Sequence, residues 1–407
     1  MELNYPKAIL LIFIVNFIFA ACEAPQYSLE EGEVTLPEKL KINQIQVLGT
    51  HNSYAQPVDT AVLNYIDPIF EKMMGQYFST MPEEQQAKYK EYHPNSVKMS
   101  EGLAYNHPDF KEQLNAGLRS LEMDVYYDPT GNRFNKPASY ETLKQLGKTD
   151  LLPFDSTGLD KPGFKVLHMA DIDFRTHYPT FESALQALKS WSVEHPSHVP
   201  IFIMIEAKDS GIPIFPGSAE VLPFNSEAFD ELDELIFSVL GKDKIITPDI
   251  VRGDYKTLEE AVLANNWPEL SASLGKFVFM LLPSTAGLAQ ANPYVEKHPT
   301  LENRAMFVQS EPGKPYAAFL LLDNAIMRKE DIQKAVEKGY LVRTRSDIEC
   351  YEAKVNDKTR ANAAFESGAQ VISTDFFKPG NSFKTDYYIQ IPNKKPVRVN
   401  PVNGIQP

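Results

Sequence analysis

Cysteine is nearly missing from this chain: Cys22 and Cys350 are the only two among 407 residues. With Cys22 removed or modified, the remaining thiol has no partner for an intramolecular disulfide, so stability must come from the core. Cys350 has no histidine in its sequence neighbourhood to serve as a base, and it reads as a buried apolar filler. Basic residues are also in deficit, 40 Lys and Arg against 54 Asp and Glu, for a net charge of −14. This excludes a general nucleic-acid surface, which needs clustered cations to neutralise phosphates. Any anionic ligand must instead be met by local charge or by a bound divalent cation, which reverses the sign of an acidic pocket. The Gly-rich G-x-G-x-x-G turn of dinucleotide folds is absent after the first strand-like run, which reads Gly49-Thr-His-Asn52.

Long apolar runs are equally scarce. Ala8 to Phe19 is the longest near the start, and its dozen or so residues fall short of the roughly 20 that span a bilayer as a helix. Followed by Ala20-Ala21-Cys22, it reads as a lipoprotein-type signal peptide over residues 1–22, with Cys22 as the lipidated residue. The expectation is an exported cell-envelope lipoprotein, held at a membrane surface by its N-terminal lipid, with a secreted form as the alternative. Residues 23–41 are acidic and fit a tether. A monomer is expected.

What is present is a core-forming pattern, with 43% hydrophobic residues. Short apolar runs at Ile45 to Gly49, Leu121 to Tyr126, Phe164 to Leu167, Ile201 to Ile205, Phe277 to Leu282, Ala305 to Val308, Tyr340 to Val342 and Gln370 to Ser373 predict eight strands. Helical patterns at Thr180 to Ser192, Ser226 to Leu240, Lys329 to Lys338 and Asp357 to Ser367 separate several of them. That alternation predicts an α/β fold, a (β/α)8 TIM barrel over residues 42–377, with functional groups at the C-terminal ends of its strands. Residues 56–108, including a helical stretch from Thr60 to Tyr92, are an insertion over the barrel mouth: a lid or a packing decoration. Residues 378–407 form a strap or a loose tail.

The first strand ends in His51 and Asn52. Of eight histidines, six lie in proline-flanked turns (His93, His107, His177, His195, His198 and His298) and are expected to be solvated. Only His51 and His168 close apolar strands, where imidazole can donate and accept protons near neutral pH. Glu122 and Asp124 are two apart on one strand, so they share a face. Two like charges in a barrel mouth require a cation between them, a proton on one, or a pairing with Arg119 or a lysine. With Glu206 at another strand end and Asn52, they make an all-oxygen donor set that suits Ca²⁺ better than Mg²⁺ or a transition metal. Lys208, two beyond Glu206, either binds a substrate phosphate or balances the carboxylates. Arg343 and Arg345 share parity after a later strand and offer guanidinium groups to phosphate or inositol, or salt bridges to Asp347 or Asp375. Asp375 closes the last strand, where it can orient a histidine or an arginine.

The order Thr50-His51-Asn52-Ser53, Glu122-x-Asp124, Val166-Leu-His168, Ile205-Glu206 resembles the catalytic core of calcium-dependent phosphoinositide-specific phospholipases C. Gly339 to Arg345 and Ser367 to Asp375 look like segments of a bacterial branch of that family. The resemblance implies that Asn52, Glu122, Asp124 and Glu206 bind Ca²⁺, that His51 stabilises the charged phosphorane, and that His168 is the general acid and base. It implies a phosphoric diester hydrolase that cleaves an inositol phospholipid, or a related phosphodiester, through a cyclic phosphate. The eukaryotic accessory modules have no room here. Lys276 starts a strand, the wrong end for the lysines that bind extra ring phosphates, so plain phosphatidylinositol or a glycosylated derivative becomes an equal candidate. One rival is a glycerophosphodiester phosphodiesterase, whose His-Arg-Gly opening is not matched by His51-Asn52. The other is a non-catalytic lipid- or glycan-binding lipoprotein on the same barrel.

Overall fold

The structure is a computed structural model and describes residues 39–283, 292–392 and 395–404. The expectations for the signal peptide, for Cys22 and for most of the tether lie outside the described residues. Ten strands share one sheet: β1 (Ile45–Thr50), β2 (Ser120–Asp128), β3 (Gly163–Val166), β4 (Ile201–Lys208), β5 (Phe277–Leu282), β6 (Met306–Val308), β7 (Phe319–Asn324), β8 (Leu341–Arg345), β9 (Val371–Thr374) and β10 (Val397–Val399). Eight of these lie side by side in the order β6-β5-β4-β2-β1-β9-β8-β7, parallel at every junction. A parallel bridge from Gln309, just past β6, to Phe319 of β7 brings the two ends of the row together. The fold is therefore a nearly closed parallel (β/α)8 barrel, as the alternation of apolar runs and helices predicts.

Three strands differ from the expected set: β10 lies in the segment expected to be a strap or tail, and the differences at β3 and β7 concern the barrel itself. The run at Phe164 is β3, which pairs antiparallel with the far end of β2, Val125 opposite Val166 and Asp128 opposite Gly163. It is a hairpin partner above the barrel, not a barrel stave. The missing stave is β7, whose Phe-Leu-Leu-Leu-Asp-Asn run carries no β-branched residues and leads directly into the helix Ala325–Glu337. A leucine run beside a helix has no period that separates strand from helix.

The outer faces of the staves are covered by the helices Phe181–Glu194, Ser226–Leu240, Ala325–Glu337 and Thr359–Ser367. The first two begin where Thr180 and Asn225 side chains accept the Ser183 and Ala228 amides, satisfying donors that a helix start leaves open. Staves buried on both faces have to be apolar throughout, and β1, β5 and β6 are buried along nearly their whole length. Gly49 is a requirement of this packing: a Cβ there would stand 2.1 Å from the Ser120 carbonyl oxygen, where β1 meets β2.

The segment between β1 and β2 holds the helices Thr60–Thr80 and Glu83–Tyr92. It reaches the mouth ends of distant staves: Glu91 pairs with Arg328 at 2.7 Å and accepts the Asn324 amide through its carbonyl, while His93 meets Glu349 at 2.7 Å. It then returns to the end of β1. Past β9, the chain buries Tyr387 against Ser346 and Asp347, and β10 pairs antiparallel with the start of β1, Ile45 opposite Val399.

Candidate active site

Every candidate catalytic, metal-binding or substrate-binding residue lies among the described residues and is brought to the C-terminal mouth of the barrel. β1 ends in His51, and the chain turns through Asn52 in the left-handed region at φ 44°, a conformation asparagine tolerates better than most residues. The turn is fastened to β2: the Ser53 amide donates to the Glu122 carbonyl at 3.0 Å, and the Glu122 amide donates to the Ser53 hydroxyl at 2.8 Å. On β2 and β4, Asp124 stands in register with Glu206. Glu122, Asp124 and Glu206 each offer an oxygen, and all three oxygens lie within 4.8 Å of one another.

This cluster is under electrostatic stress. Burial pushes Glu122 up to about 8, with Arg343 opposing and Asp124 adding to the shift, and burial pushes Asp124 up to about 6. Lys208 Nζ lies 3.1 Å from both Asp124 and Glu206, and Arg343 reaches Glu122 at 2.7 Å and also pairs with Asp323. Burial opposes the Lys208 charge, yet Asp124 and Glu206 outweigh it and hold the ammonium well above its usual range. Of the two readings of Lys208, charge balance is the one its contacts display. Two cations, one of them shared with Asp323, thus face three carboxylates of which burial favours the protonated form in two. Asp124 Oδ1 meets no hydrogen-bond donor among the described residues, and Oδ2 meets only the Lys208 ammonium. A buried carboxylate oxygen without a donor is costly. Oxygen-only donors with an orphaned carboxylate fit a hard divalent cation such as Ca²⁺.

Two imidazoles stand beside the cluster, their ring centroids 6.3 Å apart and nearly perpendicular. Each is gripped at Nδ1 by an aspartate: His51 by Asp375 at 3.0 Å, and His168 by Asp173 at 2.8 Å. An aspartate at Nδ1 selects the tautomer with the proton on Nδ1 and leaves Nε2 open for chemistry. Burial, with Arg345 and Arg343 nearby, holds His51 well below its ordinary range, so it is neutral at pH 7. Asp375 takes both roles its position allows, orienting His51 and lying 3.5 Å from Arg345. Arg343 turns to Glu122 and Asp323 instead of Asp347 or Asp375.

Several contributors were not visible as such in the sequence. His168 follows β3, so it hangs from the hairpin above the barrel instead of closing a stave. Its loop is a tight turn in which the His168 and Met169 amides both donate to the Asp173 carbonyl. A histidine and aspartate five apart at the end of a hairpin is the signal that would have found Asp173. His107 and His198, expected in water, are buried. His107 Nε2 donates to the His51 carbonyl at 2.9 Å, because the insertion folds back against the β1 turn. His198 lies between Ser192 and the Val199 carbonyl under Trp191. Cys350 is buried, as a filler should be, with its thiol donating to the Gly102 carbonyl at 3.3 Å. Tyr105, from the insertion, places its hydroxyl 2.6 Å from the Asn52 amide nitrogen.

A barrel mouth with two aspartate-held histidines beside a carboxylate cluster that could hold a cation fits a class, the metal-assisted phosphodiesterase barrels. Comparison narrows it. The profile of the family described as "Phosphoinositide phospholipase C, Ca2+-dependent" matches residues 40–401, and this chain belongs to that family. No curated protein matches it in sequence. Among solved structures, the calcium-dependent phosphoinositol-specific phospholipase C of a Pseudomonas species, in an apo-form myo-inositol complex, aligns with a TM-score of 0.50 at 14% identity. That alignment covers 93% of this chain and 99% of the other. The calcium-dependent phosphatidylinositol-specific phospholipase C of Streptomyces antibioticus aligns at 0.48 and 18% identity, over 82% of this chain and 94% of that one. The phosphatidylinositol-specific phospholipase C of Listeria monocytogenes aligns at 0.41 and 12%, over 84% and 92%. At these identities the Pseudomonas likeness speaks for the barrel fold alone.

Proposed function

We propose that this protein is a Ca²⁺-dependent phosphodiesterase that cleaves phosphatidylinositol or a closely related inositol phosphodiester by intramolecular attack of the ring hydroxyl next to the phosphate. The observation that carries the reading is the pair of Nδ1-anchored histidines, 6.3 Å apart at the edge of the acidic cluster. Asn52, Glu122, Asp124 and Glu206 are the residues that would hold the cation. When bound, it lowers the pKa of the attacking hydroxyl and offsets charge on the phosphoryl oxygens.

The chain's own groups do the proton work. Neutral His51 has its Nδ1 proton committed to Asp375, so its Nε2 carries a lone pair and accepts the proton of the attacking hydroxyl. The imidazolium so formed donates to the phosphorane, which reconciles the stabilising role implied by the family likeness with the tautomer set by Asp375. His168, oriented by Asp173 through Nδ1, acts in its imidazolium form and passes its Nε2 proton to the departing diacylglycerol oxygen, ending as the neutral imidazole. The cyclic phosphate then opens if water enters with His168 acting in reverse.

Selectivity follows from the cations near the mouth. Lys208, Arg343 and Arg345 are each engaged by carboxylates, and Lys276 precedes β5, at the end of the barrel opposite the site. An inositol ring without extra phosphates is the headgroup this supports. We further propose that the chain is anchored through a lipid on Cys22 to the cell envelope, a reading that mass analysis of the N-terminal peptide tests.

The test of function is a panel of phosphatidylinositol, its phosphorylated forms and glycerophosphodiesters, assayed with Ca²⁺ and with excess chelator. Cyclic inositol phosphate released from phosphatidylinositol only in the presence of Ca²⁺ is expected. Glycerol phosphate as the product would move the assignment to glycerophosphodiester hydrolysis. Absence of turnover with intact Ca²⁺ binding would make the barrel a binding module.

A further inference from the structure

We propose that Tyr105, delivered to the end of β1 by the insertion, is a positioning residue that fixes the side-chain amide of Asn52 for cation binding; this rests on the reading of Asn52 as a metal ligand. Asn52 is the one uncharged member of the donor set. A carboxamide has an oxygen that ligates a cation and an NH2 that repels one, and a half-turn of the side chain exchanges them. Neighbouring carboxylates attract the NH2 end. Unless another acceptor claims it, the amide therefore offers the wrong end to a cation.

Tyr105 supplies that acceptor. Asn52 Nδ2 donates to the Tyr105 hydroxyl at 2.6 Å, both residues are buried, and the Tyr54 hydroxyl lies 3.4 Å away on the Oδ1 side. The Tyr105 ring also stands 5.6 Å from the His51 ring, so a single side chain braces both residues of the β1 turn. The backbone on either side of it is held from three directions. The Cys350 thiol donates to the Gly102 carbonyl, the Ser382 hydroxyl donates to the Ala104 carbonyl at 2.8 Å, and the His107 amide donates to the Ala55 carbonyl at 3.0 Å. These anchors come from the loop after β8, the C-terminal strap and the β1 turn itself. On this reading the insertion is a structural part of the metal site.

Calorimetric Ca²⁺ titration of the full chain, without substrate, tests this with wild type, Tyr105→Phe, Asn52→Asp and the double variant. Loss of an outer hydrogen-bond partner is expected to weaken Ca²⁺ binding about tenfold in Tyr105→Phe. Asp at position 52 ligates through either oxygen and needs no such orientation, so adding Tyr105→Phe to it should cost nothing more. A Tyr105→Phe protein that titrates like wild type overturns the proposal, and so does a tenfold loss that persists in the Asn52→Asp background. Wild type that gives no Ca²⁺ isotherm overturns the metal reading itself and this inference with it, whereas normal wild-type binding with an unaffected variant overturns Tyr105 alone.

Discussion

The two histidine–aspartate pairs look alike at the imidazole and are built in opposite ways. His51 and Asp375 are 324 residues apart, joined because β1 and β9 are neighbouring staves with Thr50 in register with Thr374. His168 and Asp173 are five apart and meet inside one hairpin turn. The first pair is a property of barrel closure, backed by Arg345 and by Asp347, which accepts the Asp375 amide at 2.7 Å. The second belongs to a local loop that the extension of β2 carries above the mouth. A base that must meet a hydroxyl beside the cation benefits from a rigid frame. A proton donor to a leaving group profits from a loop that can follow it.

The largest expected effects leave the comparison symmetric. His51→Ala and His168→Ala should each reduce turnover by about 10²- to 10⁴-fold, the scale of lost acid–base assistance, while Ca²⁺ binding measured by calorimetry stays within about twofold. Asp124→Asn should do the reverse at the level of the metal, weakening Ca²⁺ binding by more than about tenfold, since it removes a direct ligand where a mere supporting partner is worth that much. A histidine variant that loses Ca²⁺ binding, or full activity in excess chelator, would break the division between proton transfer and charge stabilisation.

The aspartates separate the two sides. Asp375→Asn should lower kcat by roughly a hundredfold, less than the ~10⁴ seen when a serine-protease triad loses its aspartate, because it misaligns His51 and releases Arg345 together. Asp173→Asn should cost only about tenfold, because the His168 and Met169 amides still bind the residue 173 carbonyl and keep the turn closed. Equal losses, read in steady-state kinetics at saturating Ca²⁺, would show that local and long-range anchoring are equivalent here.

The same contrast explains what the sequence disclosed. Strand parity put Glu122 and Asp124 on one face, and strand ends singled out His51, Glu206 and Asp375, because alternation is a local property that a barrel converts directly into position. His168 was found at a strand end too, but its strand pairs antiparallel, and the choice of partner is not written in four residues. β7 was lost in a leucine run that reads equally as helix. Tyr105 and His107 were invisible for a different reason: they reach the site only because the insertion folds back under anchors from Cys350, Ser382 and Ala55, and proline beside His107 spoke for a surface turn.

The smallest expected effect probes the frame behind Asp375. Burial pushes Asp347 up to about 6, with the neighbouring Asp375 charge adding to it, while Thr374, the Asp375 amide and Arg345 pull the other way. An acid whose pKa is higher in the fold than in the unfolded chain holds its proton longer in the native state. Between about pH 4 and 6 the native state then binds more protons, so stability falls as pH rises through that window and levels off above it. In Asp347→Asn the charge never forms. The amide keeps one oxygen for the Asp375 amide and loses an acceptor for Thr374 and Ser346, whose hydroxyls now point at Oδ2. Thermal melts of the Ca²⁺-free protein should show the variant less stable by about 1 kcal/mol at pH 4, for the lost hydrogen bonding. The gap should narrow by pH 7, where the buried wild-type carboxylate carries its full desolvation cost. A pH profile parallel to wild type would mean that Asp347 is not the group titrating there.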